Sequence, residues 1–135
     1  MINTRVIIAG SRTFNDYALL MQTISDHFPV ETTLSDIEIV SGTARGADQL
    51  GERFAHECNF ICTRFPADWD KYGSSAGYRR NEQMAKYATH LIAFWDGESR
   101  GTKHMIDLAT KYNLRVRIID FQPIILPKPI IRKGL

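Results

Sequence analysis

The sequence predicts a single α/β domain, built as a mostly parallel five-stranded sheet with helices on both faces. Short, nearly continuous apolar segments recur along a chain of 135 residues, which is the length of one domain. Amphipathic segments with helical spacing alternate with them. Strands buried on both faces have such unbroken apolar runs, and regular alternation of strand and helix favours parallel pairing. We expect this domain to span residues 1–122, followed by a proline- and isoleucine-rich tail at 123–135.

The predicted strands are short apolar runs, and the first of them is closed by Gly10. Their length and continuity are those of strands covered by helices on both sides. We predict strands at residues 5–9, 37–40, 60–62, 90–95 and 116–119.

Between these strands, apolar side chains repeat at intervals of about four residues, as do Leu20, Ile24 and Phe28. The segment 66–78 has no such repeat and is longer than the usual strand-to-helix connection, so we predict an irregular binding loop or lid there. We predict helices at residues 17–28, 47–59, 81–88 and 102–112.

Composition excludes several classes of protein. Seventeen Lys and Arg against fifteen Asp and Glu give a net charge of +2, which is too small to indicate nucleic-acid binding by itself. Cys58 and Cys62 lack the partners of a zinc site and do not make a disulfide framework, so we expect a reduced, cytoplasmic protein without a metal or other cofactor. No apolar run reaches eighteen residues and the N-terminal one is too short for a signal peptide, so we expect no membrane contact.

Four predicted loops, at residues 10–13, 42–46, 77–81 and 97–102, combine glycine, arginine and a small or polar residue. In a parallel sheet such loops meet at the carboxyl ends of the strands, where helix N-termini and arginine forks bind anions. The alternative for any one loop is a tight turn with a solvated or paired arginine. The predicted ligand-binding residues are Gly10, Ser11, Arg12, Gly42, Thr43, Arg45, Gly46, Asp48, Asp68, Trp69, Arg80, Asn81, Arg100, Gly101 and Thr102.

The stretch SGTARGAD matches neither of two familiar phosphate motifs. It lacks the Lys-Ser/Thr ending of a P-loop, and the spacing of Gly42 and Gly46 differs from a dinucleotide fingerprint. Asp48, in the first turn of the following helix, either binds a ribose hydroxyl or complements the helix dipole.

The segments VIIAGSR, IVSGTARGAD, FPADWDKYGSSAGYRRNEQM and LIAFWDGESRGTKHMI resemble the SLOG superfamily, in particular its small branch related to YspA and YpsA. The resemblance runs from about Arg5 to Asp120. It implies a Rossmann-like sheet that holds a nucleotide or a nucleotide-derived ligand, with phosphate over the glycine-rich turns. The superfamily is also similar to the LOG phosphoribohydrolases and to the DNA-binding protein DprA.

A comparison with LOG enzymes shows a departure. Their Arg-Lys-x-x-Met segment resembles the one that begins at Arg80, but Asn81 stands in place of the lysine. Gly101 and Thr102 are retained, whereas His104 and Met105 stand where LOG enzymes have glutamates. Cleavage of an N-glycosidic bond needs a carboxylate near the oxocarbenium-like centre, and methionine cannot supply it. The catalytic candidates that remain are Glu98, His104 and Asp68.

Three aromatic residues are candidates for stacking on a base, namely Phe14, Trp69 and Tyr72, although each can instead anchor its loop on the core. Three functions fit the predicted pocket. The first is a sensor or sequestering protein for a nucleotide signal, such as an ADP-ribose derivative or a cyclic nucleotide. The alternative is a hydrolase or N-glycosidase acting on such a ligand, and a DprA-like binder of single-stranded nucleic acid is the third. Besides the small-molecule ligand, we expect a second copy of the chain as partner.

Overall fold

Five parallel strands form one sheet in the computed structural model, which describes residues 3–28 and 36–122. The sheet order is β3-β2-β1-β4-β5, so the prediction of a mostly parallel five-stranded sheet is confirmed. From β1 the chain moves outward to β3 and then returns to the other side of β1. The loops after β1 and β4 therefore diverge and leave a crevice between them. The strands are β1 Thr4–Gly10, β2 Ile37–Ser41, β3 Ile61–Arg64, β4 His90–Trp95 and β5 Arg115–Asp120.

Helices cover both faces of this sheet, as predicted. Consecutive side chains of the central strand β1 point to opposite faces, so Ile8 packs with Leu20 and Phe54 on one side. Ile7 packs on the other side, in the cluster that contains Met84 and Met105. The helices are α1 Tyr17–His27, α2 Ala47–Glu57, α3 Trp69–Tyr72, α4 Ala76–Tyr87 and α5 Arg100–Lys111.

The segment 66–78 differs from the irregular loop that the sequence predicts, since most of it is helical. Asp68 caps α3 by accepting a hydrogen bond from the Lys71 amide at 3.1 Å, and a 3₁₀ turn at Gly73–Ser75 leads directly into α4. Helix α4 thus begins five residues before the predicted start at 81. Its first turn buries only Ala76, so it lacks the apolar repeat by which helices are recognised.

Among the described residues, no helix is long and apolar enough to cross a membrane. The predicted tail, 123–135, lies outside the described residues, so its role stays a prediction.

Candidate functional site

The crevice lies at the carboxyl ends of the strands, above the point where the loops after β1 and β4 separate. Its innermost part, here called the inner cleft, has a cavity volume of about 90 Å³. Residues from the loop after β1 and from α2, α4 and α5 converge on it. Of the predicted ligand-binding residues, the inner cleft brings together Gly10, Arg12, Asp48, Arg80, Asn81, Gly101 and Thr102.

Two wider cavities share lining residues with the inner cleft. The outer cavity, of about 410 Å³, lies between the loop after β2 and α3, and its lining includes Gly42, Thr43, Arg45 and Trp69. The aromatic cavity, of about 250 Å³, lies between α3 and α4 and is lined by Trp69 and Tyr78. The outer cavity alone is large enough for a small-molecule ligand. Arg12 and Arg80 line all three cavities.

Arg80 is held in place by two hydrogen bonds. Its Nη1 donates to the Gly42 carbonyl, and its Nε donates to Asn81 Oδ1 at 3.0 Å. Burial lowers the pKa of the Arg80 guanidinium, the Asp48 carboxylate raises it, and the positive charge of Arg12 lowers it further. Arginine remains protonated at neutral pH all the same.

The positive charge at the crevice is compensated in part by the carboxylate of Asp48, which lies close enough to Arg80 to raise its pKa. Within the described part of the chain, no ion pair of 4.0 Å or less joins Arg12, Arg45 or Arg80 to a carboxylate. The four ion pairs that do occur there lie on the surfaces of the helices and at the end of β3. Two neighbouring arginines without a carboxylate partner favour an anion between them.

Close backbone packing brings the glycine-rich loops together. Gly46 has φ +80°, and a Cβ on it would lie 2.4 Å from the Ser11 carbonyl oxygen. A Cβ on Gly10 would lie 2.2 Å from the Phe94 carbonyl oxygen. Only glycine fits at these contacts, which fix the loop after β1 against its neighbours from β2 and β4.

Asp48 forms part of the floor of the inner cleft, where it is 5% exposed. Its Oδ2 accepts a hydrogen bond from the Ala44 amide at 3.2 Å, so the carboxyl supports the loop after β2. Burial raises the pKa of Asp48 to about 6, against the lowering effects of the Ala44 amide and the nearby Arg80. The residue that the sequence assigns to a ribose contact or to the helix dipole thus also holds the loop that lines the outer cavity.

We expect an Asp48→Asn variant to gain stability relative to the parent as the pH rises from about 4 to about 7. The folded pKa of about 6 lies above the ordinary 3.8, so folded protein keeps a proton that the unfolded chain has released across this range. The free energy of unfolding of the parent therefore falls with rising pH, by up to roughly 3 kcal/mol. Asparagine does not titrate, so the variant does not show this fall. Urea titrations of both proteins at the two pH values measure the difference. If the difference in stability between the two proteins were the same at both pH values, Asp48 would not be a buried group that titrates in this range.

Several predicted residues are engaged with partners inside the protein. Ser11 is buried, and its Oγ accepts a hydrogen bond from the Asp96 amide at 3.2 Å. The Thr102 hydroxyl lies 3.0 Å from that of Ser99, the N-cap of α5. Phe14 is buried in the core and stacks on Phe94 with ring centroids 4.4 Å apart, so it has no free face for a base.

The three catalytic candidates lie outside the linings of the three cavities. Glu98 is exposed, as is its neighbour Arg100. Asp68 caps α3 and faces a separate pocket. His104 packs edge-on against Tyr78, with ring centroids 4.4 Å apart. Burial lowers the pKa of its imidazole, whereas nearby carboxylates raise it.

Sequence reasoning missed Tyr78 as a site residue. It is 48% exposed and faces the aromatic cavity together with Trp69, which is 54% exposed. The residue was assigned to an irregular loop, where its direction cannot be inferred. In α4 it lies one turn before Asn81, which lines the same cavity, so the helical spacing would have identified it.

Comparisons with known proteins give two matches. The family described as "YspA, cpYpsA-related SLOG family" matches residues 4–72, from β1 through α3. The "Gene 61 protein" of Mycobacterium phage D29 is 31% identical over 118 residues, which cover 83% of this chain and 93% of that protein. No solved structure shows a significant match.

Proposed function

Since the chain belongs to the YspA, cpYpsA-related SLOG family, we propose that its crevice binds a nucleotide or a nucleotide-derived small molecule, as a sensor or a sequestering protein. Family membership is consistent with a nucleotide-related function. The observation that carries the proposal is the position of Arg12 and Arg80, which lie where three cavities meet and have no carboxylate within 4.0 Å among the described residues.

Phosphate is the group that these arginines suit best. Each guanidinium offers paired N–H donors that match two phosphate oxygens. Gly101, in the first turn of α5, has open space where a Cβ would be, so a ligand can approach its backbone closely. The positive end of the α5 dipole favours negative charge at the same place.

The base of the nucleotide is proposed to lie against Trp69. Its indole is half exposed and lines both the outer cavity and the aromatic cavity, so a planar ring in either cavity can contact it. Stacking of a base on an aromatic side chain contributes about 1–3 kcal/mol. Large exposed aromatics next to a cluster of arginines are the combination that nucleotide pockets use.

Calorimetry with AMP, ADP, ADP-ribose and cyclic AMP tests the proposal. We expect at least one of them to bind, and Trp69→Ala to weaken that binding about tenfold because the stacking energy is lost. Trp69→Phe keeps a ring and serves as the control, with an expected loss of about threefold or less. Absence of heat with every nucleotide would overturn the proposal. Equal affinities of the alanine variant and the parent would remove Trp69 from the site.

Hydrolysis of the bound nucleotide is the alternative, and one observation favours it. Asp48 supplies a carboxyl to the lining of the inner cleft, and its pKa of about 6 suits proton transfer near neutral pH. Chromatography of the ligand recovered after long incubation separates the two functions. Intact ligand supports binding alone, whereas cleavage that Asp48→Asn abolishes would establish turnover.

We also propose that the protein acts in the cytoplasm as a homo-oligomer. The reduced cysteines expected for this compartment and the isoleucine-rich sequence of the tail support this proposal.

A further inference from the structure

A series of hydrogen bonds at the crevice runs from the Gly42 carbonyl through Arg80 and Asn81 to His104. Arg80 Nη1 donates to the Gly42 carbonyl, and Arg80 Nε donates to Asn81 Oδ1 at 3.0 Å. Asn81 Nδ2 in turn lies 3.2 Å from His104 Nδ1 and 3.4 Å from the Gly101 carbonyl. This series connects α5 through α4 to the loop after β2, and thus joins three walls of the crevice.

The partners of Asn81 fix the direction of every bond in this series. Asn81 is buried, with 7% exposure, and its amide contacts one donor, Arg80 Nε, and one obligatory acceptor, the Gly101 carbonyl. Turning the amide would place two donors together at Arg80 and two acceptors together at Gly101. The Nδ2 group must therefore point to His104, so His104 Nδ1 accepts the bond and the ring carries its proton on Nε2.

We propose that neutral His104 is a positioning residue of the ligand site, which holds Arg80 through Asn81 and releases it when the imidazole is protonated. The inference rests on the proposed function of the crevice. Protonation converts Nδ1 from an acceptor into a donor that opposes the Asn81 amide. Asn81 then loses one of its three bonds, and the bond that orients the Arg80 guanidinium is weakened with it.

The charged groups around His104 are few among the described residues. The charged neighbours are Asp107, one turn away on α5, and Glu82 on α4. The uncharged contacts are Asn81 and Tyr78, both on α4. Asp107 and Glu82 raise the pKa of His104, but burial lowers it more, so the ring is neutral above its ordinary value of 6.5. Both carboxylates are themselves engaged, Asp107 with Lys103 at 2.9 Å and Glu82 with Lys86 at 3.5 Å.

Nuclear magnetic resonance of the ligand-free protein tests this role without any assumption about the ligand. We expect the His104 ring to show the Nε2–H tautomer and to titrate below pH 6.5. The Arg80 Nε–H signal is expected to shift and to exchange faster across the same pH range. In His104→Gln, whose side-chain oxygen also accepts a hydrogen bond but does not titrate, the Arg80 signal should keep only the change that titration of the nearby Asp48 causes. An Nδ1–H tautomer, or an Arg80 signal with the same pH dependence in the parent and in His104→Gln, would overturn the inference.

Binding of inorganic sulfate, which stays doubly charged in this range, supplies the functional readout. Asp48 titrates in the parent and in His104→Gln alike, so the ratio of the sulfate affinities of these two proteins reports the effect of His104 alone. We expect the affinity of His104→Gln relative to the parent to rise about fivefold between about pH 7.5 and about pH 5. His56→Gln, which removes an exposed imidazole from α2, should leave the profile of the parent unchanged. A constant ratio overturns the inference. Failure of sulfate to bind at any pH contradicts the anion site itself, and the Arg80 signal then decides on His104 alone.

Discussion

Replacing Arg80 with alanine is expected to weaken nucleotide binding about a hundredfold, the largest effect that we predict for a side chain of the crevice. The guanidinium lines all three cavities, and a hydrogen bond to a charged group contributes about 1.5–3 kcal/mol. The substitution also frees the Gly42 carbonyl, which the guanidinium holds in the structure. Calorimetry with the tightest nucleotide of the panel measures the loss.

Arg79 offers a matched control, because it is the preceding residue of the same helix and has the same charge. Its side chain is exposed, donates to Ser75 Oγ at 3.1 Å and lies over the Tyr72 ring, away from the three cavities. Arg79→Ala should therefore bind within about threefold of the parent. Arg80→Lys keeps the charge but loses the planar fork, so an intermediate loss is expected. Equal affinities of Arg79→Ala and Arg80→Ala would place the anion site elsewhere.

Gly46→Ala is expected to destabilise the fold by about 3 kcal/mol or more, the largest stability effect that we predict. The added Cβ meets two costs at once. The backbone has φ +80°, which a residue with a side chain rarely adopts, and the Cβ would lie 2.4 Å from the Ser11 and 2.7 Å from the Arg12 carbonyl oxygen. Neither oxygen belongs to a flexible side chain, so the two loops must move apart. Thermal unfolding should show a fall in Tm of about 10 °C or more.

Gly97 separates these two costs, because it has nearly the same positive φ without the contact. Its φ is +82°, and nothing lies within 4 Å of the position of a Cβ. Gly97→Ala should therefore lose only the conformational cost, about 1 kcal/mol. Similar Tm values for the two variants would show that the loops after β1 and β2 are not in the close contact described.

The sequence predicts the elements of this fold well, because their signals are local. The strands are unbroken apolar runs, and the structure places their bounds within two residues of the prediction. The predicted start of α4 is wrong because the local signal is missing there. Between Ala76 and Asn81 the helix has no apolar repeat, since it faces the crevice instead of the core, and a helix without that repeat cannot be distinguished from a loop.

The candidate site divides in a similar way. Arg12, Arg80 and Gly101 were singled out because each follows a predicted strand or opens a predicted helix, and parallel topology brings such residues to one edge of the sheet. The role of Asn81 and His104 could not be inferred. They are the two polar residues that replace the lysine and one glutamate of the LOG pattern, and they lie 23 positions apart in the chain but contact each other across α4 and α5.

By itself, then, the sequence determined the class of the fold, the order of its elements and the accumulation of arginine and glycine at one edge, because periodicity and position after a strand are properties of neighbouring residues. Only the tertiary structure decided which side chains face the crevice and which are engaged elsewhere. In the folded chain Ser11 and Phe14 lie in the interior, and Asp48 is buried close to Arg80. Burial and hydrogen-bond partners, which set pKa and availability, depend on residues that are distant in sequence and meet only when the sheet and its two helical layers have formed.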